Sequence, residues 1–205
     1  MALYTPAAFA ARDQATAREL MRDFPFATLI TVAGGDSHIS HVPLLFDPNQ
    51  GAHGTLRGHL ARPNPQWRHF AQGRTTAIFH GPHAYVSPSW YANPPDNVPT
   101  WNYATVHARG RPEILRPEEG REVLEALTRR FDPELPALAE EKIAKLLAGI
   151  VAFSLPVERI EAKFKMNQNK TAADRAGVMR GLRATGFPES TQAAEWMQRH
   201  DDAAA

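Results

Sequence analysis

Hydrophobic positions along the chain change their period twice. In YTPAAFAARDQATARELMRDF (residues 4–24), Phe9, Ala17, Leu20, Met21 and Phe24 recur at roughly helical spacing. This predicts a helix packed on one face. Thr5 suits its N-cap, Pro6 its first position, and Pro25 stops it. From 26 to 112 the runs shorten and alternate. ATLITV is followed by the turn residues Gly34, Gly35 and Asp36. HISHVPLLF puts Val42, Leu44 and Phe46 on one face and Pro43 on the other, which suits a sheet edge or a bulge. TLRGHL, TTAIF and YATVHARG supply further strands. In the last, Ala104, Val106 and Ala108 oppose Tyr103, Thr105, His107 and Arg109, so one face packs and the other can carry chemistry.

Helical spacing returns at 117–131, with Pro117 at the start, acidic residues in the first turn and a stripe of Val123, Leu124, Leu127 and Phe131. LAEEKIAKLLAG predicts a second amphipathic helix closed by Gly149. IVAFSLPVERIEAKF reads as one more strand. Residues 169–200 read as helical, and the acidic, alanine-ended tail is expected to fray. The sum is α+β: a mainly antiparallel unit of about six strands, expected to close as a barrel, with helices around it.

Composition narrows the chemistry. The 205 residues suit one large domain or a domain with an appended piece. A net charge of +1 gives no global attraction for nucleic acid or acidic membranes. The chain has no cysteine, which removes disulfides, thiolate zinc sites and cysteine nucleophiles. No apolar run is long enough to span a bilayer and no signal-peptide core is evident, so a soluble, cytoplasmic protein is expected.

Three segments can carry a ligand. GHLARPNPQW (58–67) ends a strand and turns through two prolines, with Asn64-Pro65 as cap and first residue of a short helix. Free N–H groups there, beside Arg62 and His59, suit an anion, although a plain capped helix explains them too. HAYVSPSWYANPPDNVPTWNY (83–103) joins Ser87, Ser89, Thr100 and Asn102 to the flat faces of Trp90, Tyr91, Trp101 and Tyr103. That mixture suits an aromatic ligand with polar edges, held by a proline-stiffened loop; a satellite apolar cluster is the plainer reading. In KFKMNQNK (163–170), Lys163 and Lys165 share one strand face, and Gln168 and Asn169 follow. Lysines neutralise phosphate, and amides bond heterocycle edges.

Seven of the nine histidines lie between His38 and His83, but their spacing does not suit a metal, and no metal site is expected. There is no Gly-rich phosphate loop and no G-x-S-x-G motif. Seven Lys or Arg between Arg159 and Arg183 face only Glu161 and Asp174, without a helix-turn-helix pattern.

GHLARPNPQW, GPHAYVSPSWY, VPTWNYATVHARG and IEAKFKMNQNK, in this order, resemble the PaiB family of FMN-binding negative transcriptional regulators. The resemblance runs from YTPAAF through DRAGV. Met166 and Asn167 stand where that family's pattern has leucine and serine. The resemblance implies a six-stranded FMN-binding split barrel over residues 1–185, a helical tail at 186–205, and a homodimer holding FMN at its interface. It implies that His59, Arg62 and Asn64, with Lys163 or Lys165, meet the phosphate. The ring would lie against Trp90, Trp101 or Tyr103, and its pyrimidine edge would meet Gln168, Asn169 or Asn102. Ser87 and Thr100 complete this expected set. Three functions stay open: a flavin-dependent regulator acting on DNA or a regulatory partner, an oxidoreductase or flavin reductase, and a flavin store or scaffold. No catalytic residue is assigned, although His107 is a candidate for proton transfer.

Overall fold

The computed structural model describes residues 3–11 and 13–202. Among these residues six long strands are present: β1 (Phe26–Ala33), β2 (Asp36–Pro43), β4 (Thr55–Ala61), β5 (Arg74–Val86), β6 (Thr100–Gly110) and β8 (Ile150–Lys165). Two short ones, β3 (Leu45–Asp47) and β7 (Glu113–Ile114), join them. The sheet order is β2-β1-β5-β6-β8-β4-β3, with β7 added on β8. The order is open, with β2 and β3 at its ends although only Leu44 separates them in the chain. The barrel is therefore split and not closed, which corrects the expectation drawn from the strand pattern. Among the described residues, five helices complete the α+β fold: α1 (Gln14–Asp23), α2 (Pro117–Phe131), α3 (Glu140–Gly149), α4 (Ala172–Ala184) and α5 (Pro188–Asp202).

Two compact units divide the chain. The first comprises Ala17–Phe79 and Val106–Glu161. Its β1–β2 hairpin turns on Gly34 and Gly35, at φ 60° and 92°. Both turn positions need the left-handed region, which glycine enters without steric cost. Pairing runs Ala33↔Asp36 to Phe26↔Pro43, so Pro43 ends an edge strand, where its missing N–H breaks no ladder. Leu29, Leu56, Leu60, Phe79 and Phe153 are fully buried, and Phe70 meets Phe153 edge-on at 5.1 Å. Each such side chain contributes roughly 1.5–3 kcal/mol on burial. Helix α2 begins at Pro117, and Glu119 accepts from the Arg116 N–H at 3.1 Å.

The second unit comprises the stretch up to Thr16, His80–Thr105 and the stretch from Ala162. The expected N-terminal helix is broken here. Ala7–Phe9 form a single 3-10 turn and Ala10 makes an antiparallel bridge to Lys163. Helix α1 starts only after Asp13, whose Oδ1 accepts from the Thr16 N–H at 2.9 Å and from its hydroxyl at 3.0 Å. A carboxylate N-cap is worth about 1 kcal/mol, more than the proline at position 6 offers. Thr5 donates its hydroxyl to Leu3 O and caps nothing.

In the same unit, α4 and α5 meet across a short turn in which Gly186 takes φ 72°. Between β5 and β6 the prolines build two 3-10 turns, Pro88–Trp90 and Pro94–Asp96. The first sits on α4: a Cβ at Gly177 would lie 2.2 Å from Trp90 O, and one at Gly181 would lie 2.3 Å from the Trp90 ring. The two glycines make room for the loop. Arg12 and the alanine end of the tail lie outside the described residues.

Candidate functional site

The strand–turn–helix at 58–67 folds as its sequence predicts, within the first unit. Asn64 Oδ1 accepts from the Gln66 N–H at 3.0 Å and Pro65 opens a 3-10 turn. Asn64 Nδ2 donates to Ser40 Oγ at 2.8 Å. Arg62 grips the end of α3, donating from Nε to Ala148 O and from Nη2 to Ile150 O, each at 2.6 Å. His59 sits on β4 opposite Ala152, and its Nδ1 is buried without a hydrogen-bond partner. Burial holds this ring's pKa below the ordinary histidine value, which keeps it neutral. Gln66, not anticipated from sequence, pins this corner from inside. Its Nε2 lies 3.0 Å from both Leu29 O and His38 O, and its Oε1 accepts from Ser40.

The remaining candidates lie in the second unit. Strand β6 alternates there, so Trp101 and Tyr103 point to one side while Thr100 and Asn102 point to the other. On the first side Trp101 is 55% exposed and meets Tyr85, itself 44% exposed, edge-on at 6.2 Å. His83, on β5, is exposed as well. The Lys163 ammonium lies over the rings of Tyr103 and Tyr4, at 5.3 and 5.2 Å. Lys165 donates to Thr100 Oγ1 and, at 2.6 Å, to Trp101 O. Neither lysine joins an ion pair among the described residues. Burial first, and the Lys163 charge second, hold the Lys165 pKa below the ordinary lysine range. Two cations on one strand face, neither in an ion pair among the described residues, repel each other, and an anion between them would relieve that repulsion.

A recess adjoins Lys165, with walls that include Tyr91, Asn97, Thr100, Asn102, Asn167 and Lys170. Asn169, exposed, stands at its rim. Asn102 is 1% exposed and donates to Met197 Sδ at 3.4 Å. Gln168 is folded onto its own loop, accepting from the Met166 N–H at 2.7 Å and donating to Phe164 O. Ser87 caps the first 3-10 turn, and the Trp90 ring covers Gly181. His107 is half-buried on β6 in the first unit. The structure thus brings together Thr100, Trp101, Tyr103, Lys163 and Lys165. It adds Tyr4, and it draws in Tyr85 and Tyr91 from the aromatic segment and Asn167 and Lys170 from KFKMNQNK. Among the described residues, no group of three or more His, Cys, Asp or Glu could hold a metal, and no helix is long and apolar enough to cross a membrane.

A lysine couple outside any ion pair among the described residues, beside flat aromatic faces, fits a ligand with a phosphate and a planar ring. Residues 3–159 match the family model described as "Putative FMN-binding domain", and the chain belongs to this FMN-binding family. Over 203 residues it is 34% identical to "Protease synthase and sporulation protein PAI 2" of Bacillus subtilis (strain 168), covering 96% of this chain and 97% of that protein. The fold matches the FAD and heme binding protein of Mycobacterium smegmatis, with a TM-score of 0.57 at 20% identity over 76% of this chain and 72% of that one. It matches the flavocytochrome Anf3 of Azotobacter vinelandii with a TM-score of 0.60 at 15% identity, over 76% and 69%. The cofactor of this chain is FMN.

Proposed function

We propose that this protein is a cytoplasmic, flavin-dependent negative regulator that holds FMN against the second unit. Lys163 and Lys165 take the phosphate, and Trp101 and Tyr103 face the ring. His59, Arg62 and Asn64 fix the corner after β4 within the first unit. The observation that carries the reading is the lysine pair, in no ion pair among the described residues, set beside exposed aromatics. Bound FMN supplies a ring that takes up and returns electrons, so a regulator built on it can report redox state.

The protein works as a homodimer in this reading. Tyr85, Trp101 and His83 leave one sheet face uncovered in a single chain, and a second copy with a flavin between would cover it. Purified protein is expected to show flavin absorbance, or to gain it on addition of FMN, and to scatter light as a dimer. Folded protein that takes up no flavin at saturating FMN would overturn the assignment. Steady turnover of NAD(P)H through the bound flavin would replace the regulator by an oxidoreductase.

A further inference from the structure

Strand β6 has a second side. Trp101 and Tyr103 face one way, and Thr100 and Asn102 face the other, into the recess walled by the 3-10 turn at Pro94–Asp96 and by the β8–α4 connection. These walls carry charge of both signs. Lys170 lies over the Tyr91 ring at 5.2 Å and donates to Asn97 Oδ1 at 2.6 Å. Asp96 accepts from Asn93 Nδ2 through Oδ2. The two charges line one recess, yet neither joins an ion pair among the described residues. Each is held by a neutral amide instead.

Lys165 also borders the recess, but its ammonium is committed to Thr100 Oγ1 and Trp101 O. Asn102 and Asn167, 1% and 5% exposed, bring buried amides to the same walls, and Phe9 and Val98 bring apolar ones. The recess measures about 240 Å³. Sites for drug-sized ligands measure roughly 300–1,000 Å³, so this one suits a smaller molecule than a flavin or a nucleotide. A simple anion there meets the Asp96 carboxylate, and a simple cation meets two lysines. A ligand with one charge of each sign meets both walls without that repulsion.

We propose that this recess binds a free α-amino acid, with its carboxylate on Lys170, its ammonium on Asp96 and its side chain against Phe9 and Val98. The buried amides, which both donate and accept, complete the hydrogen bonds a zwitterion needs when it leaves water. The site lies on the other side of β6 from the aromatic face and does not depend on where FMN sits. A regulator with both sites responds to a metabolite as well as to redox state.

Calorimetric titration of the full chain, before any flavin is added, with each uncharged standard L-amino acid tests this. At least one is expected to bind, and no binding by any of them at millimolar concentration would overturn the assignment. For the tightest binder, the N-acetyl form removes the ammonium charge and the α-amide removes the carboxylate. Each should bind roughly tenfold more weakly or worse, the scale of a hydrogen bond to a charged group. Equal binding of either form would overturn the assignment. Asp96→Asn, at an exposed position, should fold, keep its FMN affinity and no longer discriminate against the N-acetyl form. Lys170→Met should no longer discriminate against the α-amide, and Lys170→Gln gives the same readout if the first variant folds poorly. Discrimination that survived in these variants would place the amino acid elsewhere and overturn the site. FMN is titrated separately, so a failure of the flavin reading shows as lost FMN binding with amino acid binding intact.

Discussion

Alanine at Gly177 and at Gly181, introduced one at a time, tests how the aromatic loop is seated on α4. The added Cβ would stand 2.2 Å from Trp90 O in the first case and 2.3 Å from Trp90 Cδ2 in the second. Favourable carbon contacts lie at about 3.5–4 Å, so each variant must open by roughly 1 Å or more. Overpacking of this size costs about 1–3 kcal/mol. Alanine's better helix propensity returns about 1 kcal/mol. The net expected loss is up to roughly 2 kcal/mol at Gly181, and at least as large at Gly177, where a backbone carbonyl cannot rotate away. Gly149, at the end of α3, has nothing within 4 Å of a built Cβ and serves as the control. Gly149→Ala should be neutral or stabilising by up to about 1 kcal/mol. Urea unfolding at constant m-value reads all three. The decisive arm repeats them on a Trp90→Ala background. Removing the ring frees the space at Gly181, so Gly181→Ala should become neutral there. The carbonyl remains, so Gly177→Ala should stay costly. An unchanged cost of Gly181→Ala with and without the ring would refute the packing argument.

Three further outcomes are expected. Lys165→Ala should weaken FMN by roughly 1.5–3 kcal/mol, the scale of a hydrogen bond to a charged group, and leave riboflavin nearly unchanged. Trp101→Ala should weaken both, and parallel titrations distinguish the two patterns. Arg62→Ala should lower stability by about 1 kcal/mol by releasing the end of α3, with FMN and riboflavin affected alike; selective loss of FMN would contradict this. His59 has a folded pKa depressed below its unfolded value, so its contribution is complete above about pH 6.5 and is lost as pH falls toward the folded value. Stability measured from pH 7.5 downward should therefore decline below that point, and His59→Gln should flatten the decline.

Much of the architecture is legible in the sequence because it is decided by neighbours. Pro117, two glutamates and a stripe of apolar residues define α2 at the expected bounds. Gly34-Gly35 sets the β1–β2 hairpin, and Asn64-Pro65 caps its turn, each through contacts a few residues apart. The same local logic misleads at the N-terminus, where Thr5-Pro6 and Asp13 both signal a helix start and only the carboxylate reaches a free N–H. The aromatic and lysine residues of the site could be named from composition and order. What they do could not, because their partners are far away in the chain. Arg62 donates to a carbonyl 86 residues on. Trp90 rests on glycines 177 and 181, which look like weak points of a helix until the loop is placed against them. The order of an open sheet and the absence of an ion pair at Lys163 and Lys165 among the described residues are facts of this kind. Local pattern determined the elements and their faces. Only the folded chain decided which polar groups are satisfied within the protein and which still have a partner to find.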